Sequence, residues 1–247
     1  MRNRGLPQEG LKLIACVSML IDHFAAVLLF ALFPVSNFLF DLYGILRIIG
    51  RFAFPIYCFL LVEGAAHTRN PKRYALRLLI GAALAEIPFD LAIFGGFTWQ
   101  HQSVMVTLLL GFGALEGMKR CPQVWQKLLM TIPFALAADY LHTDYGAAGV
   151  ALVVLFAMTR DMPHKRLIQF FGMWFLFSDN HAMLLNWILK VFQMGTFYLT
   201  TQEWAVLSIV PISLYDGSKI TKSKAVQWAF YLFYPAHLTA LYLIGRI

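Results

Sequence analysis

One apolar run sets the terms for this chain. From Leu11 to Phe33 the sequence is long enough to cross a bilayer as a helix, yet Asp22 and His23 stand in its middle. A hydrocarbon core takes about 20 helical residues. Ionisable groups at that depth are costly, so they face a bundle interior and mark a functional path. The run therefore calls for other helices that answer this pair, and it points to chemistry or transport inside a membrane.

Composition agrees. The chain is 60% hydrophobic and 13% charged, against about 25% charged in an ordinary soluble domain. Twenty-two Phe and six Trp suit lipid contact and the interfaces. The expectation is an all-α polytopic transmembrane bundle of about 8–10 spans, with residues 1–247 forming a single integral membrane domain of the cell membrane. The net charge of +7 lies in short loops between apolar runs. It reads as a topology signal, and no nucleic-acid partner is expected. Cys16, Cys58 and Cys121 show no paired spacing and read as small core or loop residues. Arg2 and Arg4 precede an apolar run too long for a signal-peptide h-region and without a small-residue cleavage site. That run reads as a permanent first helix.

Expected spans are 11–33, 44–65, 74–94, 103–117, 127–138, 146–159, 167–178, 182–199, 204–214 and 225–245. Basic residues cluster in 1–10, 66–77, 118–127 and 160–166, whereas 95–102 has none and 139–145 carries two Asp. Strict alternation follows, with a cytoplasmic N-terminus. Ten spans leave one conflict: the loop of Lys219, Lys222 and Lys224 lands outside unless one span between 167 and 214 is not a crossing.

At about 1.5 Å per residue, Asp22, His23, Arg51, Glu86 and His237 fall in one layer of such a bundle. Arg51 stays charged and can bridge Asp22 or Glu86. Adjacent helical residues diverge by about 100°, so one of Asp22 and His23 meets Arg51 while the other faces a cavity. Histidine is the natural proton acceptor near neutral pH. Structural alternatives stay open: helix-to-helix glue for the layer, a satisfied core histidine for His23, a kink marker for His237, a plain ion pair for Arg51. Lys12 precedes His23 by three helical turns and shares its face, as ligand contact or as a snorkelling lysine. Pro55 and Pro88 interrupt apolar spans, as proline does beside cavities or at packing kinks. Arg69, Arg73 and Arg77 recur every four residues, so a helix there sets them on one face. Such a face holds phosphate or anionic lipid. There is no Walker loop, GxGxxG, GxSxG or HExxH. His164 and His181 lack paired ligands, and no metal is expected.

The blocks Leu11-Lys12 and Met19-Leu-Ile-Asp22-His23, Gly50-Arg51-Phe-Ala-Phe-Pro55, Glu63-Gly64 with His67, Ala85-Glu86-Ile-Pro88-Phe-Asp90, Asp144-Tyr145-Gly146 and Phe233-Tyr234-Pro235-Ala-His237 occur in this order. Together they resemble the TraX family of membrane proteins. That resemblance implies an acetyltransferase, since a family member acetylates the N-terminus of conjugative pilin. The family also looks akin to the membrane acyltransferases that decorate surface glycans. Those carry a basic residue, ten residues and a functional histidine in the first helix, a spacing that Lys12 and His23 match.

The expectation is transfer of an acetyl group from cytoplasmic acetyl-CoA to an amine or hydroxyl in the envelope: a pilin-like protein, a glycan, a lipid or a small amine. Lys12, Arg69, Arg73 and Arg77 would bind the donor. His23 would act as base, oriented by Asp22, Arg51 or Glu86, with Arg51 at the developing oxyanion and His237 in the same layer. A proton-coupled transporter or exporter using the same buried layer, or a noncatalytic scaffold, is the alternative. Membrane lipids complete the expected partners.

Overall fold

The computed structural model describes residues 5–30, 36–178, 202–221 and 223–246. Helix α1 (Gln8–Phe24) runs into a π-helical turn at Ala25–Leu29. Then follow α2 (Asn37–Gly50), α3 (Ala53–His67), α4 (Pro71–Phe94), α5 (Val104–Met118), α6 (Val124–Tyr140), α7 (Gly146–Thr159) and α8 (Lys165–Phe177). A 3-10 turn (Glu203–Ser208) leads into the short α9 (Ile209–Ser213), and α10 covers Lys224–Ile244. Among the described residues the only β pairings are isolated bridges, Leu6 with Tyr215 and Gln102 with Thr143. Each expected span overlaps helix in the described residues, except that 182–199 and the end of 11–33 lie outside them and 204–214 is the 3-10 turn with the short α9. The protein is an all-α helical bundle.

Local chemistry sets the boundaries. The Ser36 hydroxyl accepts from Leu39 N at 3.3 Å and starts α2. Asn70 caps α4 by accepting from Arg73 N at 3.0 Å, with Pro71 at the first helical position. Gly95, at φ 73°, ends it in the left-handed region that glycine enters freely. The second expected span, 44–65, lies within Phe38–His67, and a turn at Arg51 and Phe52 divides that stretch into α2 and α3. The cause is Pro55. It has no N–H to give to the carbonyl of Arg51, so the ladder stops and restarts. Pro55 thus occupies a first turn, where the missing donor costs little, and not the interior of a helix.

Helix α3 is apolar all round, and its residues from Ala53 to Val62 are buried except Tyr57. A helix of that kind belongs at the centre. Around it pack α1, α5 and α7; α10 lies against α4, and α2 against α1. Gln8–Leu29 and Phe38–His67 are long and apolar enough to cross a membrane.

The segment after α9 returns to the start of α1. Leu6 N donates to Leu214 O at 2.7 Å, Gln8 N to Ser218 O at 2.9 Å, and Ile220 N to the Glu9 carboxylate at 2.8 Å. Lys219 therefore stands at the same end as Lys12 and Arg77, all three lining one cavity. At the other end Ser178 and Gln202 border one small cavity beside Arg51 and Asp144. Lys219 of the last loop is thus grouped with Lys12 and Arg77 of the other basic segments.

Gly50 lets α2 approach α1: a Cβ there would overlap the Asp22 side chain, whereas a Cβ at Gly44 meets nothing within 4 Å. Gly50→Ala is expected to cost about 1–3 kcal/mol by overpacking. Gly44→Ala should gain about 0.5–1 kcal/mol from helix propensity. Thermal unfolding of the two variants in detergent checks the contrast.

Candidate functional site

The site is anchored on Asp22, which is buried at 8% exposure. Arg47 Nη1 donates to its Oδ2 at 2.8 Å, and Arg51 Nη2 to Oδ1 and Oδ2 at 2.7 Å each. Arg51 spends its other groups nearby, donating from Nε to Arg47 O at 3.2 Å and from Nη1 to Gln202 Oε1 at 3.0 Å. A carboxylate survives burial only when paired and hydrogen-bonded in this way. Arg47 was missed by sequence reasoning, although its signal was present: it precedes Arg51 by four residues and so shares a helix face. Both guanidiniums stand at the C-terminal end of α2, where cations are favoured.

His23, the next residue, points elsewhere and meets His237 of α10. His23 Nδ1 and His237 Nε2 are 2.6 Å apart, with ring planes 3° from parallel. His237 Nδ1 lies 2.7 Å from the Phe233 carbonyl. A carbonyl only accepts, so His237 Nδ1 carries the proton. With both rings uncharged, His237 Nε2 must then accept, and His23 Nδ1 must donate. His23 Nε2 is left with a bare lone pair on a residue that lines a cavity. That is the state a general base requires.

Two cavities from opposite ends adjoin at Tyr234, which packs on both rings. The larger, about 690 Å³, is lined by Asp22, His23, Arg47, Arg51, Phe94, His101 and Asp144. The other, about 280 Å³, opens at the basic end and is lined by Lys12, His67, Arg77, Lys219 and Phe230. Met19, Tyr57, Val104 and Tyr234 border both.

The expected residues divide accordingly. Asp22, His23, Arg51 and His237 converge. Lys12 lies in the basic cavity with its Nζ 5.3 Å from the Phe230 ring centroid. Arg77 lines that cavity too, and its Nε is buried without a hydrogen bond among the described residues. The arginine array is corrected. Because Asn70 caps α4, Arg69 precedes the helix, and only Arg73 and Arg77 share it. Arg69 and Arg73 are exposed and do not line the cavity. Glu86 is corrected as well: it accepts from Ser103 N at 2.9 Å and Ser103 Oγ at 2.8 Å, at the start of α5. A carboxylate there satisfies amides that the helix leaves free, and Glu86 does not line the larger cavity.

The mouth of the larger cavity is built from two loops joined by Gln102 N to His142 O at 3.1 Å and Asp144 N to Gln102 O at 3.0 Å. This sets His101 Nε2 3.8 Å from Asp144 Oδ1. The Asp144 carboxylate beside the ring pushes the His101 pKa up, against a smaller opposing effect of burial.

Fold and site together define a helical-bundle protein in which Asp22, His23 and Arg51 line the larger of two cavities opening at opposite ends. The chain belongs to the TraX family, described as TraX protein, which it matches over residues 7–245. It is also similar to a probable fimbrial assembly protein FimC, serogroup H1, from Dichelobacter nodosus. The two are 30% identical over 257 residues, covering 97% of this chain and 96% of that protein. No solved structure matches.

Asp22→Ala strands two guanidiniums and is expected to cost about 3–5 kcal/mol in thermal unfolding. Arg47→Gln should cost less, since Arg51 still holds the carboxylate. The His101 pKa is higher folded than unfolded. Its pairing therefore stabilises fully below the unfolded value near about 6.5 and fades as pH rises through the folded one. Asp144→Asn should lower the Tm at about pH 5.5 and leave it unchanged at about pH 9.

Proposed function

We propose that the protein is a membrane-embedded acyltransferase. It moves an acetyl group from acetyl-CoA at the basic end to an amine or hydroxyl entering from the opposite end. The observation that carries this reading is the pair of opposed cavities meeting beside His23, whose Nε2 is left as a base. A donor too polar to cross and an acceptor on the far side can then share one reaction centre without a continuous pore.

A multi-pass membrane setting is supported by broad exposed apolar faces. Leu76, Leu84 and Ile87 on α4, Leu129 and Leu136 on α6, and Phe175 on α8 are all exposed. Such surface suits lipid. The positive-inside bias puts the basic end, and with it the N-terminus, in the cytoplasm, where acetyl-CoA is made. Lys12, Arg77 and Lys219 at the cavity supply positive charge for the donor's phosphates, with the thioester arm directed inward. Arg69 and Arg73 lie outside that cavity, so their part is limited to the rim.

His23 takes the acceptor's proton as the acceptor attacks the thioester carbonyl. His237 holds His23 in the required tautomer, and the Asp22–Arg51–Arg47 cluster fixes the helix that carries it. The relative's name points to an acceptor among envelope components that serve fimbrial assembly: a pilin-like protein, a glycan, a lipid or a small amine.

The test is release of free CoA thiol from acetyl-CoA by the purified protein supplied with an amine or envelope extract. His23→Ala is expected to lower turnover by about 10²–10⁴-fold, the usual worth of general base catalysis. Equal turnover by both forms would reject the role of His23.

A further inference from the structure

Resting on the transferase reading, we infer that Tyr234 is a catalytic residue whose phenolic O–H donates a hydrogen bond to the thioester carbonyl oxygen where the two cavities meet. Four residues border both cavities there: Met19, Tyr57, Val104 and Tyr234. Met19 and Val104 offer only apolar surface. The Tyr57 hydroxyl is paired with Cys16 Sγ at 3.1 Å. Tyr234 is only 5% exposed, and its hydroxyl is buried with no hydrogen-bond partner among the described residues.

Buried polar groups are nearly always bonded, so an orphan hydroxyl calls for an explanation. Phenylalanine would fill the same volume without that cost. A carbonyl oxygen delivered between the cavities is the partner this donor lacks. The position also suits the chemistry. Tyr234 precedes His237 by three residues on α10, and its ring stands edge-on to both imidazoles, with centroids 5.9 Å from His23 and 5.7 Å from His237. The phenol ring therefore packs beside both imidazoles, on a cavity that His23 also lines. Arg51 is less suited to the oxyanion, because Asp22, Gln202 and the Arg47 carbonyl already engage its Nη2, Nη1 and Nε.

In this step the acceptor nitrogen or oxygen bonds to the carbonyl carbon while its proton passes to His23 Nε2. Negative charge builds on the carbonyl oxygen against the Tyr234 O–H. The C–S bond then breaks, and the CoA sulfur leaves with the proton returned from His23. Acetyl-CoA and acceptor give acetylated acceptor and free CoA.

The experiment compares wild type and Tyr234→Phe, full-length and in lipid nanodiscs, for CoA release from acetyl-CoA. The expected result is a fall in kcat of about 10²-fold or more, the usual effect of losing one oxyanion donor. KM for acetyl-CoA should change by less than about threefold, since the lost bond matters in the transition state. Thermal protection by CoA, which has no acyl carbonyl, should be unchanged, and the ligand-free Tm should equal or exceed that of wild type. An active wild type with Tyr234→Phe within about twofold in kcat would overturn the Tyr234 role alone. A ligand-free Tm several degrees below wild type would show a structural hydroxyl and overturn it too. A wild type that releases no CoA would remove the transferase reading and this inference with it.

Discussion

The bundle depends on one buried carboxylate shared by two guanidiniums. Apolar surface alone does not order helices in lipid, because the tails are as greasy as the side chains; close approach and polar pairing do. Asp22 supplies both. Gly50 leaves room for its side chain, and Arg47 and Arg51 neutralise it. Arg51 extends the tie to Gln202 at the start of the 3-10 turn. With α1 fixed in rotation by residue 22, residue 23 is turned about 100° away, which brings its ring to α10.

From there polarity runs in one direction. The Phe233 carbonyl fixes the proton on His237, His237 fixes the proton on His23, and the last nitrogen in line belongs to a residue that lines the larger cavity. A backbone oxygen, and not a carboxylate, stands behind this imidazole pair. Where the two cavities adjoin, they share Met19, Tyr57, Val104 and Tyr234 as lining.

Much of this was legible in residue order. Apolar run lengths marked the helices, and the charged residues inside them marked the layer. What failed did so for definite reasons. Rise per residue gives depth and says nothing of azimuth: Glu86 shares a depth with Asp22 but turns to Ser103, and Arg47 was overlooked although it shares a face with Arg51. Spacing by fours assumed a continuous helix through Arg69, whereas the Asn70 cap starts that helix later. The division within 44–65 shows only when Pro55 is asked which carbonyl it leaves unbonded. The cavities, and the hydroxyl between them, depend on side chains from α1, α3, α5 and α10 and have no signature in any one segment.

The imidazole pair joins residues 214 positions apart. Synthesis at about 5–20 residues per second puts roughly 10 to 40 s between the two halves. Until the last helix leaves the ribosome, the first histidine has no neighbour to settle its proton. A shorter nascent chain therefore leaves the His23 tautomer unset, and the pair forms only once α10 has packed against α1.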